Sequence, residues 1–301
     1  MDPIIVCLSS DNNYAQHGAV VIKSILSNHH STTPIELHYL DGGVAEDNRK
    51  KLQQVVAHYE NVQLIFHTMG DAYQEFFIDR HISHAAYYRL KIAQLLPNCS
   101  KAIYLDTDIV VLDDIESLWN IDMSGYSLAA VEDIGLQKKI LATKERLSIP
   151  ADAQYFNSGI LVMDLARWRE QQIGEEILEY LQTHPNLPYH DQDALNAVLW
   201  DDTLLLPPKW NTYKGILHYY YKKNRTDYLP PAFIEAAKAP SIVHFTGPVK
   251  PWHYACGMPY TDEYYMHLAQ TPFKGYTPTD KNLKSFLKRW EWKLKRIFFK
   301  P

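Results

Sequence analysis

Cysteine is scarce in this chain, and long apolar runs are missing. The three cysteines, Cys7, Cys99 and Cys256, are far apart in a sequence of 301 residues. An odd number cannot all pair within one chain, so neither a disulfide framework nor a cysteine zinc site is expected. No run approaches the roughly 18 apolar residues of a membrane-spanning helix. The N-terminus MDPIIVCLSS lacks the basic lead and apolar core of a secretory signal, which predicts a cytoplasmic protein.

Two phosphate-binding signatures are also absent. GxGxxG does not follow the first predicted strand, and GxxxxGK[ST] occurs nowhere. A dinucleotide fingerprint and a phosphate loop are therefore excluded. The chain instead alternates short apolar runs with segments of helical spacing, which is typical of an α/β domain with a mostly parallel sheet. The first predicted strands are Pro3 to Ser9, Ile35 to Leu40 and Val62 to Phe66.

Further along, apolar spacing predicts a helix over Ala86 to Leu96 and another over residues 165 to 183. A polar helix is expected over residues 133 to 146. After Leu204 frequent prolines make long regular elements unfavourable. Residues 209 to 228 mix aromatic and basic side chains there, which suits an acceptor-binding segment or ordinary core packing.

One stretch, Lys101 to Leu112 (KAIYLDTDIVVL), places two carboxylates at the end of an apolar run. Four consecutive apolar residues predict a strand buried on both faces. Side chains two positions apart in an extended segment point the same way, so Asp106 and Asp108 can converge on one cation. Two close anions repel each other unless a positive charge lies between them. The alternative is a turn or a helix cap.

A second candidate cluster follows the strand predicted at Ser241 to Phe245. His244 would be a third ligand, and adding an imidazole to two carboxylates favours Mn²⁺ over Mg²⁺. Lys250 lies six residues later and would neutralise bound phosphates, while Gly247 allows close approach of the backbone. The alternative for His244 is an ordinary hydrogen-bonded histidine.

Polar residues at the other predicted strand ends fit a sugar nucleotide. Asp11 and Asn13 would bind a base edge and ribose. Asp11 has the alternative role of helix cap, as does Asp191, and Arg89 that of a surface ion pair. The residues expected to meet sugar hydroxyls are Arg89, Asn157, Asp191 and Gln192.

The C-terminal segment differs from the rest in charge. The chain has a net charge of −5, but residues 281–301 carry +7, which leaves −12 for residues 1–280. Its apolar residues form one helical stripe: Leu283, Phe286, Leu287, Trp290, Leu294, Ile297 and Phe298. A cationic amphipathic helix of this kind suits an anionic membrane surface. A helix docked on the core is the alternative, and nucleic-acid binding is not expected, because it does not require the stripe.

Several motifs occur in one order: SSDNNYA, HIS with a downstream YYRL, YLDTDIVV, YFNSGILVMD, YHDQDALN and HFTGPVKPWH. Together they resemble glycosyltransferase family 8, and most closely its bacterial lipooligosaccharide α-1,4-galactosyltransferases. The resemblance extends from about Ile4 to the basic tail. It implies a nucleotide-diphospho-sugar transferase fold of the GT-A type, dependence on Mn²⁺, a UDP-hexose donor and retention of the anomeric configuration.

The resemblance also implies roles for individual residues. Asp106, Asp108 and His244 would be the metal ligands, with Asp106 also binding the ribose. Asp11 and Asn13 would hold the uracil end, and Gly247 and Lys250 the diphosphate. Around the donor sugar would lie Arg89, Asn157, Asp191 and Gln192, and near the acceptor His81, Tyr189 and Thr246. Galactosyltransferase-type members often have Gln where this chain has His190 and Cys where it has Thr246, which leaves the donor hexose and the acceptor open.

The function expected from the sequence is transfer of galactose, or of glucose, from UDP to a lipid-linked bacterial saccharide at the inner face of the cytoplasmic membrane. Residues 1–275 would form the catalytic domain, with acceptor-side elements at about 70–84 and 209–228, and residues 276–301 the membrane-associating tail. Retention can arise through a carboxylate nucleophile or through attack on the face from which UDP departs. Same-face attack is favoured, with electrostatic support from Gln192, because a neutral and weakly basic amide is a poor nucleophile. Asp191 is the alternative nucleophile.

Two other functions are compatible with Asp106-Thr107-Asp108. Haloacid-dehalogenase-like phosphatases present a nucleophilic aspartate in a similar motif, in which Asp106 would be phosphorylated and Asp108 would act as acid and base. About 100 residues precede the motif here, and that reading leaves the other motifs unexplained. A non-catalytic carbohydrate-binding protein is the third possibility, but an inert binder does not need paired carboxylates beside His244 and Lys250.

Overall fold

The computed structural model describes residues 2–74, 76, 83–135, 137–222 and 226–298. Its strands are β1 (Ile4–Ser10), β2 (Ile35–Asp41), β3 (Val62–Thr68), β4 (Lys101–Leu105), β5 (Ile109–Val111), β6 (Leu128–Glu132), β7 (Phe156–Asp164), β8 (Thr203–Leu205), β9 (Thr212–Tyr213) and β10 (Ile242–His244).

The α-helices are α1 (Ala15–Asn28), α2 (Glu46–Val56), α3 (Ile92–Leu95), α4 (Ile115–Trp119), α5 (Gln137–Arg146), α6 (Leu165–Glu170), α7 (Ile173–Thr183), α8 (His190–Leu199), α9 (Lys214–Leu217), α10 (Pro231–Lys238), α11 (Thr261–Leu268) and α12 (Leu283–Phe298). Short 3-10 helices span His84–Lys91, Pro208–Asn211 and Thr226–Tyr228, and a π-helical turn spans His218–Lys222.

A seven-stranded sheet has the order β3-β2-β1-β4-β7-β6-β8. Strands β3, β2, β1 and β4 run parallel to one another, and β7 is antiparallel to both of its neighbours. The parallel strands therefore end at one edge, where open α/β sheets bind their ligands. The predicted mostly parallel sheet is confirmed.

The central strands are buried on both faces. Val6 and Leu8 of β1 pack into one core with α1, while Ile5 and Cys7 pack into a second core on the opposite face with α6 to α8. Successive side chains of a strand point to opposite faces, so burial of all of them requires helices on both sides. β4 shows the same burial over Ala102 to Leu105, as its apolar run predicts.

A smaller three-stranded sheet has the order β5-β10-β9. β10 pairs antiparallel with β5, and His244 lies opposite Ile109. The N–H of Phe245 donates to the carbonyl of Asp108 at 2.9 Å. This pairing brings a segment more than 130 residues later in the chain next to the Asp106–Asp108 bend.

Two helix predictions were wrong in detail. Residues 84–91 form a 3-10 helix, in which Nε of Arg89 donates to the carbonyl of Ala86 at 2.8 Å. In an α-helix that carbonyl would accept from the N–H of Leu90. Residues 165–183 form α6 and α7 rather than one helix, because Gln172 adopts a left-handed backbone with φ 56° that cannot continue an α-helix.

The predicted C-terminal helix is present as α12, and two of its sides have different surroundings. Trp292 is 5% exposed and its ring meets that of His218 with centroids 5.7 Å apart. A Cβ on Gly257 would lie 2.6 Å from Cβ of Trp292, so the helix packs closely against the backbone around Gly257. The apolar stripe remains 41–74% exposed at Leu283, Phe286, Leu287, Trp290 and Leu294. The division of the chain at residue 275 stays a prediction. Among the described residues, every helix falls short of the length and apolarity needed to cross a bilayer.

Candidate active site

The three predicted cation ligands meet at the C-terminal end of β4. Nε2 of His244 lies 3.1 Å from Oδ1 of Asp108 and 3.7 Å from Oδ2 of Asp106. One ligand atom from each residue can be chosen so that all three lie within 4.8 Å of one another. Two carboxylate oxygens and one imidazole nitrogen form a donor set that fits Mn²⁺ and, less well, Mg²⁺.

Gly159 of β7 provides the room for this cluster. The N–H of Asp106 donates to the carbonyl of Gly159 at 2.8 Å, which places the two backbones side by side. A Cβ on Gly159 would lie 2.1 Å from Cε1 of His244 and 2.9 Å from Oδ2 of Asp106. Both distances are well inside van der Waals contact. A glycine within an apolar strand signals such close approach, although no role was predicted for Gly159.

Lys250 closes the cluster on one side. Its Nζ pairs with Oδ2 of Asp108 and donates to the carbonyl of Phe245 at 3.2 Å. Burial alone would raise the pKa of the Asp108 carboxyl, but Lys250 and His244 outweigh burial and hold that pKa below its ordinary value. Gly247 adopts φ 81° in the connecting loop, a backbone region that favours glycine.

Arg89 lies on the other side of Asp106. Its Nη2 donates to Oδ1 of Asp106 at 2.9 Å, and its Nε is 3.2 Å from Oδ2 of Asp191. The guanidinium carbon lies 4.2 Å from the ring centroid of Tyr104. Burial would lower the pKa of Arg89, but the two carboxylates raise it above its ordinary value. The residue is 2% exposed, so the alternative of a surface ion pair is wrong.

Asp191 and Gln192 lie in the first turn of α8. Burial raises the pKa of the Asp191 carboxyl, and Arg89 opposes this rise. Oε1 of Gln192 accepts from Nδ2 of Asn157 at 2.9 Å and from the N–H of Ser158 at 3.2 Å. Its Nε2 donates to Oδ2 of Asp133 at 3.3 Å. Both ends of the Gln192 amide are therefore bound within the protein.

Asp133 is a site residue that was not predicted. It follows β6 directly, and its Oδ1 accepts from the N–H of Gly135 at 3.1 Å. Burial raises the pKa of its carboxyl, while hydrogen bonds from Gly135 and Gln192 oppose the rise. The segment VEDIG carries the same signal as Asp106, a carboxylate directly after an apolar strand.

A cavity of about 520 Å³ opens over these groups. Asp133 and Gly159 line it together with most of the predicted residues: Arg89, Asp106, Asp108, Asn157, Tyr189, Asp191, Gln192, His244, Thr246, Gly247 and Lys250. Tyr189 is 43% exposed, as suits a residue at the mouth of the cavity.

The remaining predicted residues lie beside the cavity or beyond the described chain. Asp11 and Asn13 occupy the turn between the lining residues Ser10 and Tyr14. Oδ1 of Asp11 accepts from the N–H groups of Asn13 and Tyr14, at 2.8 and 3.2 Å, and so shapes the entry into α1. His81 and six other residues of the predicted acceptor-side element at 70–84 lie outside the described residues.

The other predicted acceptor-side element, residues 209–228, is divided between core and cavity. Trp210, Tyr213 and Tyr220 are buried in the core, which matches the packing alternative. Tyr213 and Gly215 also line the cavity. An acceptor role for this segment therefore stays a prediction.

A second group of potential ligands, His29, Asp114 and Glu116, has a structural role. Oδ1 of Asp114 accepts from the N–H of Glu116 and caps α4, and Nδ1 of His29 lies 3.1 Å from the same oxygen. Nε2 of His29 meets the carbonyl of Thr33 at 2.9 Å, and Oε1 of Glu116 accepts from Oγ1 of Thr33 at 2.6 Å. These contacts tie the end of α1 to α4.

In sequence, most of the chain matches a known family and known proteins. The model of glycosyl transferase family 8 matches residues 5–256. General stress protein A of Bacillus subtilis is 35% identical over 273 residues, which cover 89% of this chain and 93% of that protein. A lipopolysaccharide 1,2-glucosyltransferase of Escherichia coli K12 is 29% identical over 299 residues, covering 85% of this chain and 82% of the enzyme.

Solved structures match the fold along nearly the whole chain. A crystal structure of an active-site mutant of LgtC has a TM-score of 0.79 at 25% identity, covering 92% of this chain and 98% of that one. The galactosyltransferase LgtC in complex with donor and acceptor sugar analogs has a TM-score of 0.78 at 24% identity, covering 95% of this chain and all of that one. The second likeness concerns the fold alone. The predicted GT-A type fold is confirmed.

Proposed function

Because the chain belongs to glycosyltransferase family 8, we propose that it transfers a hexose from a UDP-sugar to a saccharide acceptor, with retention of the anomeric configuration. The observation that carries the proposal is the convergence of Asp106, Asp108, His244 and Lys250 on one wall of the cavity. Such a wall combines carboxylate and imidazole ligands with the ammonium group of Lys250, which is what a diphosphate with its counter-cation requires.

The donor diphosphate would bind between the cation ligands and Lys250. A divalent cation held by Asp106, Asp108 and His244, Mn²⁺ in preference to Mg²⁺, would neutralise charge on the phosphates when bound. Lys250 would add a second positive charge, and Gly247 would let the backbone approach. Asp11 and Asn13 would hold the uracil end, and Asp106 the ribose.

The donor hexose would lie over Arg89, Asn157, Asp191 and Gln192. The guanidinium of Arg89 holds the carboxylates of Asp106 and Asp191 in fixed positions, so their remaining lone pairs can accept from sugar hydroxyls. Tyr189 and Thr246 line the same cavity and would contact the acceptor. The resemblance to the family gives His81 an acceptor role as well.

Retention is best explained by attack on the face from which UDP departs. The carbonyl oxygen of Gln192 already accepts two hydrogen bonds, from Asn157 and Ser158, and a neutral amide is a weak nucleophile. Asp191 faces Arg89 instead of standing free. Lys250 would stabilise the charge that develops on the leaving phosphate without donating a proton, and the leaving phosphate would take the proton of the acceptor hydroxyl. A trapped covalent sugar on Asp191 or Gln192 would contradict this mechanism.

We propose galactose as the transferred hexose, with glucose as the second candidate. The two sugars differ at a single hydroxyl, and His190 and Thr246 depart from the galactosyltransferase-type pattern. LgtC is named a galactosyltransferase and the Escherichia coli relative a glucosyltransferase.

The acceptor proposal is a lipid-linked saccharide of the lipooligosaccharide or lipopolysaccharide type, met at the inner face of the cytoplasmic membrane. The positive charge of residues 281–301 and the exposed stripe of α12 support it. Charge attracts the helix to anionic lipid, and the apolar stripe can enter the interface.

The two alternative functions have less support. A phosphatase of the haloacid-dehalogenase type needs Asp106 free to attack phosphorus, whereas here Asp106 is bound by Arg89 and lies beside His244. A non-catalytic binder would not need Lys250 next to Asp108. The family match favours glycosyl transfer over both.

One assay tests the proposal: UDP release from a panel of UDP-sugars, with and without Mn²⁺ and with lactose-terminated acceptors. We expect turnover of UDP-galactose or UDP-glucose that requires the metal. Asp108→Ala should abolish it, while Asp201→Ala, which removes an exposed aspartate elsewhere, should not. Absence of metal-dependent turnover with every UDP-sugar would refute the proposal, and activity in Asp108→Ala would refute the ligand assignment.

A further inference from the structure

Asn211 is a fully buried residue that joins the cation cluster to the donor-sugar residues. It lies directly before β9, the strand that pairs with β10 and its His244. Oδ1 of Asn211 is 3.0 Å from Nδ1 of His244, and its Nδ2 donates to Oδ1 of Asn157 at 2.7 Å. One amide therefore contacts a candidate metal ligand and a candidate sugar ligand.

The orientation of this amide follows from backbone donors that can only donate. The N–H of Gly159 donates to Asn157 at 3.1 Å, so the atom of Asn157 that it meets is the oxygen. The N–H of Ser158 identifies the oxygen of Gln192 in the same way, at 3.2 Å. Since the oxygen of Asn157 faces Asn211, Asn211 must donate from its NH₂ group. The side-chain oxygen of Asn211 therefore faces His244.

The hydrogen bonds at the other end of this series of amides run in the same direction. Asn157 donates from Nδ2 to the oxygen of Gln192 at 2.9 Å, and Gln192 donates from Nε2 to a carboxylate oxygen of Asp133 at 3.3 Å. Every amide along the path from Asp133 to His244 thus points the same way. Hydrogen bonds aligned head to tail strengthen one another in a buried site.

An oxygen facing Nδ1 of His244 requires a proton on that nitrogen. The nitrogen whose lone pair can bind a cation is then Nε2, which faces Asp106 and Asp108. Histidines that bind metals generally donate their second N–H to an oxygen in this manner, which fixes the ring and its tautomer.

We propose that Asn211 is a positioning residue: it keeps the proton of His244 on Nδ1, aims Nε2 at the cation and couples the cation site to Asn157 and Gln192. This inference rests on the proposed function, because it presupposes a divalent cation at His244. It adds a residue that binds neither the metal nor the sugar directly.

The first test measures the affinity of the apo-protein for Mn²⁺ alone, without any sugar nucleotide. Asn211→Leu removes both hydrogen bonds while keeping the branching and the number of heavy atoms of the side chain, and it should weaken Mn²⁺ binding by about 10–100-fold. Asn211→Asp keeps an oxygen for His244 but cannot donate to Asn157. The Asn211→Asp variant should bind Mn²⁺ nearly as tightly as the wild type but have a lower kcat.

The control variant is Asn196→Leu. Asn196 is another fully buried asparagine, and its Oδ1 accepts from the N–H of Phe156 at 2.7 Å. It should leave Mn²⁺ affinity unchanged.

The second test uses Co²⁺ in place of Mn²⁺ and proton NMR. A histidine bound through Nε2 with a proton on Nδ1 gives a strongly shifted N–H signal that disappears in D₂O. We expect this signal in the wild type and in Asn211→Asp, and its loss in Asn211→Leu through fast exchange with solvent.

The outcomes separate this inference from the function on which it rests. Mn²⁺ binding as tight in Asn211→Leu as in the wild type would refute the role of Asn211 alone. Equal losses in Asn211→Leu, Asn211→Asp and Asn196→Leu would also refute it, because they would indicate general destabilisation. A wild-type protein that binds no Mn²⁺ would refute the proposed cation site, and the inference with it.

Discussion

Gly159 controls the space in which the two carboxylates and His244 can meet. In Gly159→Ala the added methyl would lie 2.1 Å from Cε1 of His244, so the ring or the strand must move. We expect Mn²⁺ affinity to fall by at least tenfold, because a ligand displaced from its position no longer binds well, and stability to fall by about 1–3 kcal/mol from overpacking. Titration with Mn²⁺ and urea unfolding measure the two effects. Gly275→Ala, at a position with nothing within 4 Å, is the control. Unchanged Mn²⁺ affinity in Gly159→Ala would contradict the close packing.

Arg89 is a buried residue whose replacement should cost several kcal/mol of stability. Its guanidinium serves Asp106, Asp191 and the carbonyl of Ser158 at once, and an ammonium cannot match that planar arrangement. Arg89→Lys should therefore leave a buried carboxylate without its partner and lower the free energy of unfolding by about 3–5 kcal/mol.

The pH dependence of Arg89→Lys has a definite sign. Burial already raises the pKa of Asp191, and losing Arg89 should raise that pKa further. Protonation of Asp191 at lower pH then removes the buried charge that has lost its partner. The stability difference between variant and wild type should shrink as the pH falls from 8 towards 5. Urea unfolding at several pH values measures it. Arg167→Lys, at a more exposed pair with Asp202, should cost about 0–1 kcal/mol. A comparable loss in both variants would contradict the special position of Arg89.

The roles of single residues differ in how well they can be predicted from the sequence. Asp106 and Asp108 were predictable because two carboxylates after a buried strand have few structural uses. Asp133 carries the same signal but lies outside the motifs, and the importance of Asn211 depends on a strand pairing that no local pattern reveals. Arg89 was predicted as a sugar-binding residue with a surface ion pair as the alternative. Its burial follows from the 3-10 helix over His84–Lys91 and not from apolar spacing, so the sequence did not decide between the two.

Among the elements, α1 is tied to the loop that carries Lys250 through a buried histidine. The ring of His17 stacks on that of Trp252 with centroids 3.5 Å apart, and its Nδ1 lies 2.7 Å from the hydroxyl of Tyr264. Burial, with a smaller contribution from His253, lowers the pKa of His17 to about 3. The residue is therefore neutral in the folded protein at any ordinary pH.

This low pKa predicts a loss of stability in acid. The unfolded histidine has a pKa of about 6.5, so between about pH 6.5 and 3 the unfolded chain binds a proton that the folded chain does not. The contribution of His17 should reduce the free energy of unfolding by about 1.4 kcal/mol per pH unit on acidification across that range, and by nothing above it. Urea unfolding at pH 7.5 and 5.5 measures the slope. His17→Phe keeps a ring against Trp252 and should show a smaller slope. His58→Gln, which removes an exposed histidine, is the control. Equal slopes in wild type and His17→Phe would contradict this account.

Elements were predicted best where a single period dominates the pattern. β1, β2 and β3 were predicted to within two residues, because each is a short, mostly apolar segment between turn or helical segments. The break at Gln172 was missed, because Trp168 and Ile177 pack into the same core on both sides of it and the apolar spacing continues across. The pairing of β5 with β10 was likewise invisible, because both strands are only three residues long.

On the scale of the whole molecule, the charge is separated between the catalytic region and the C-terminal helix. The +7 of residues 281–301 faces a net −12 in the rest of the chain. The GT-A fold followed from the order of motifs, but the sequence did not reveal that α12 uses one side for docking and another for its apolar stripe. Deleting the helix would remove the buried Trp292 and uncover the backbone around Gly257, as well as removing the stripe. Substitutions within the stripe are therefore the sharper test of membrane binding.

The last prediction concerns that stripe. Leu287→Gln combined with Trp290→Gln changes two exposed residues and leaves Trp292 in place, so the helix should stay docked. Burial of one such side chain in an apolar phase is worth about 1.5–3 kcal/mol, so the double variant should bind anionic vesicles at least tenfold more weakly. Flotation with vesicles that contain phosphatidylglycerol measures this binding.

The control is Leu141→Gln, which changes an exposed leucine on α5 and should bind the vesicles as the wild type does. Turnover of a soluble acceptor should be equal in all three proteins, since the stripe lies outside the residues that line the cavity. Undiminished vesicle binding in the double variant would refute a role for the stripe. Equally strong wild-type binding to uncharged vesicles would refute a role for the positive charge.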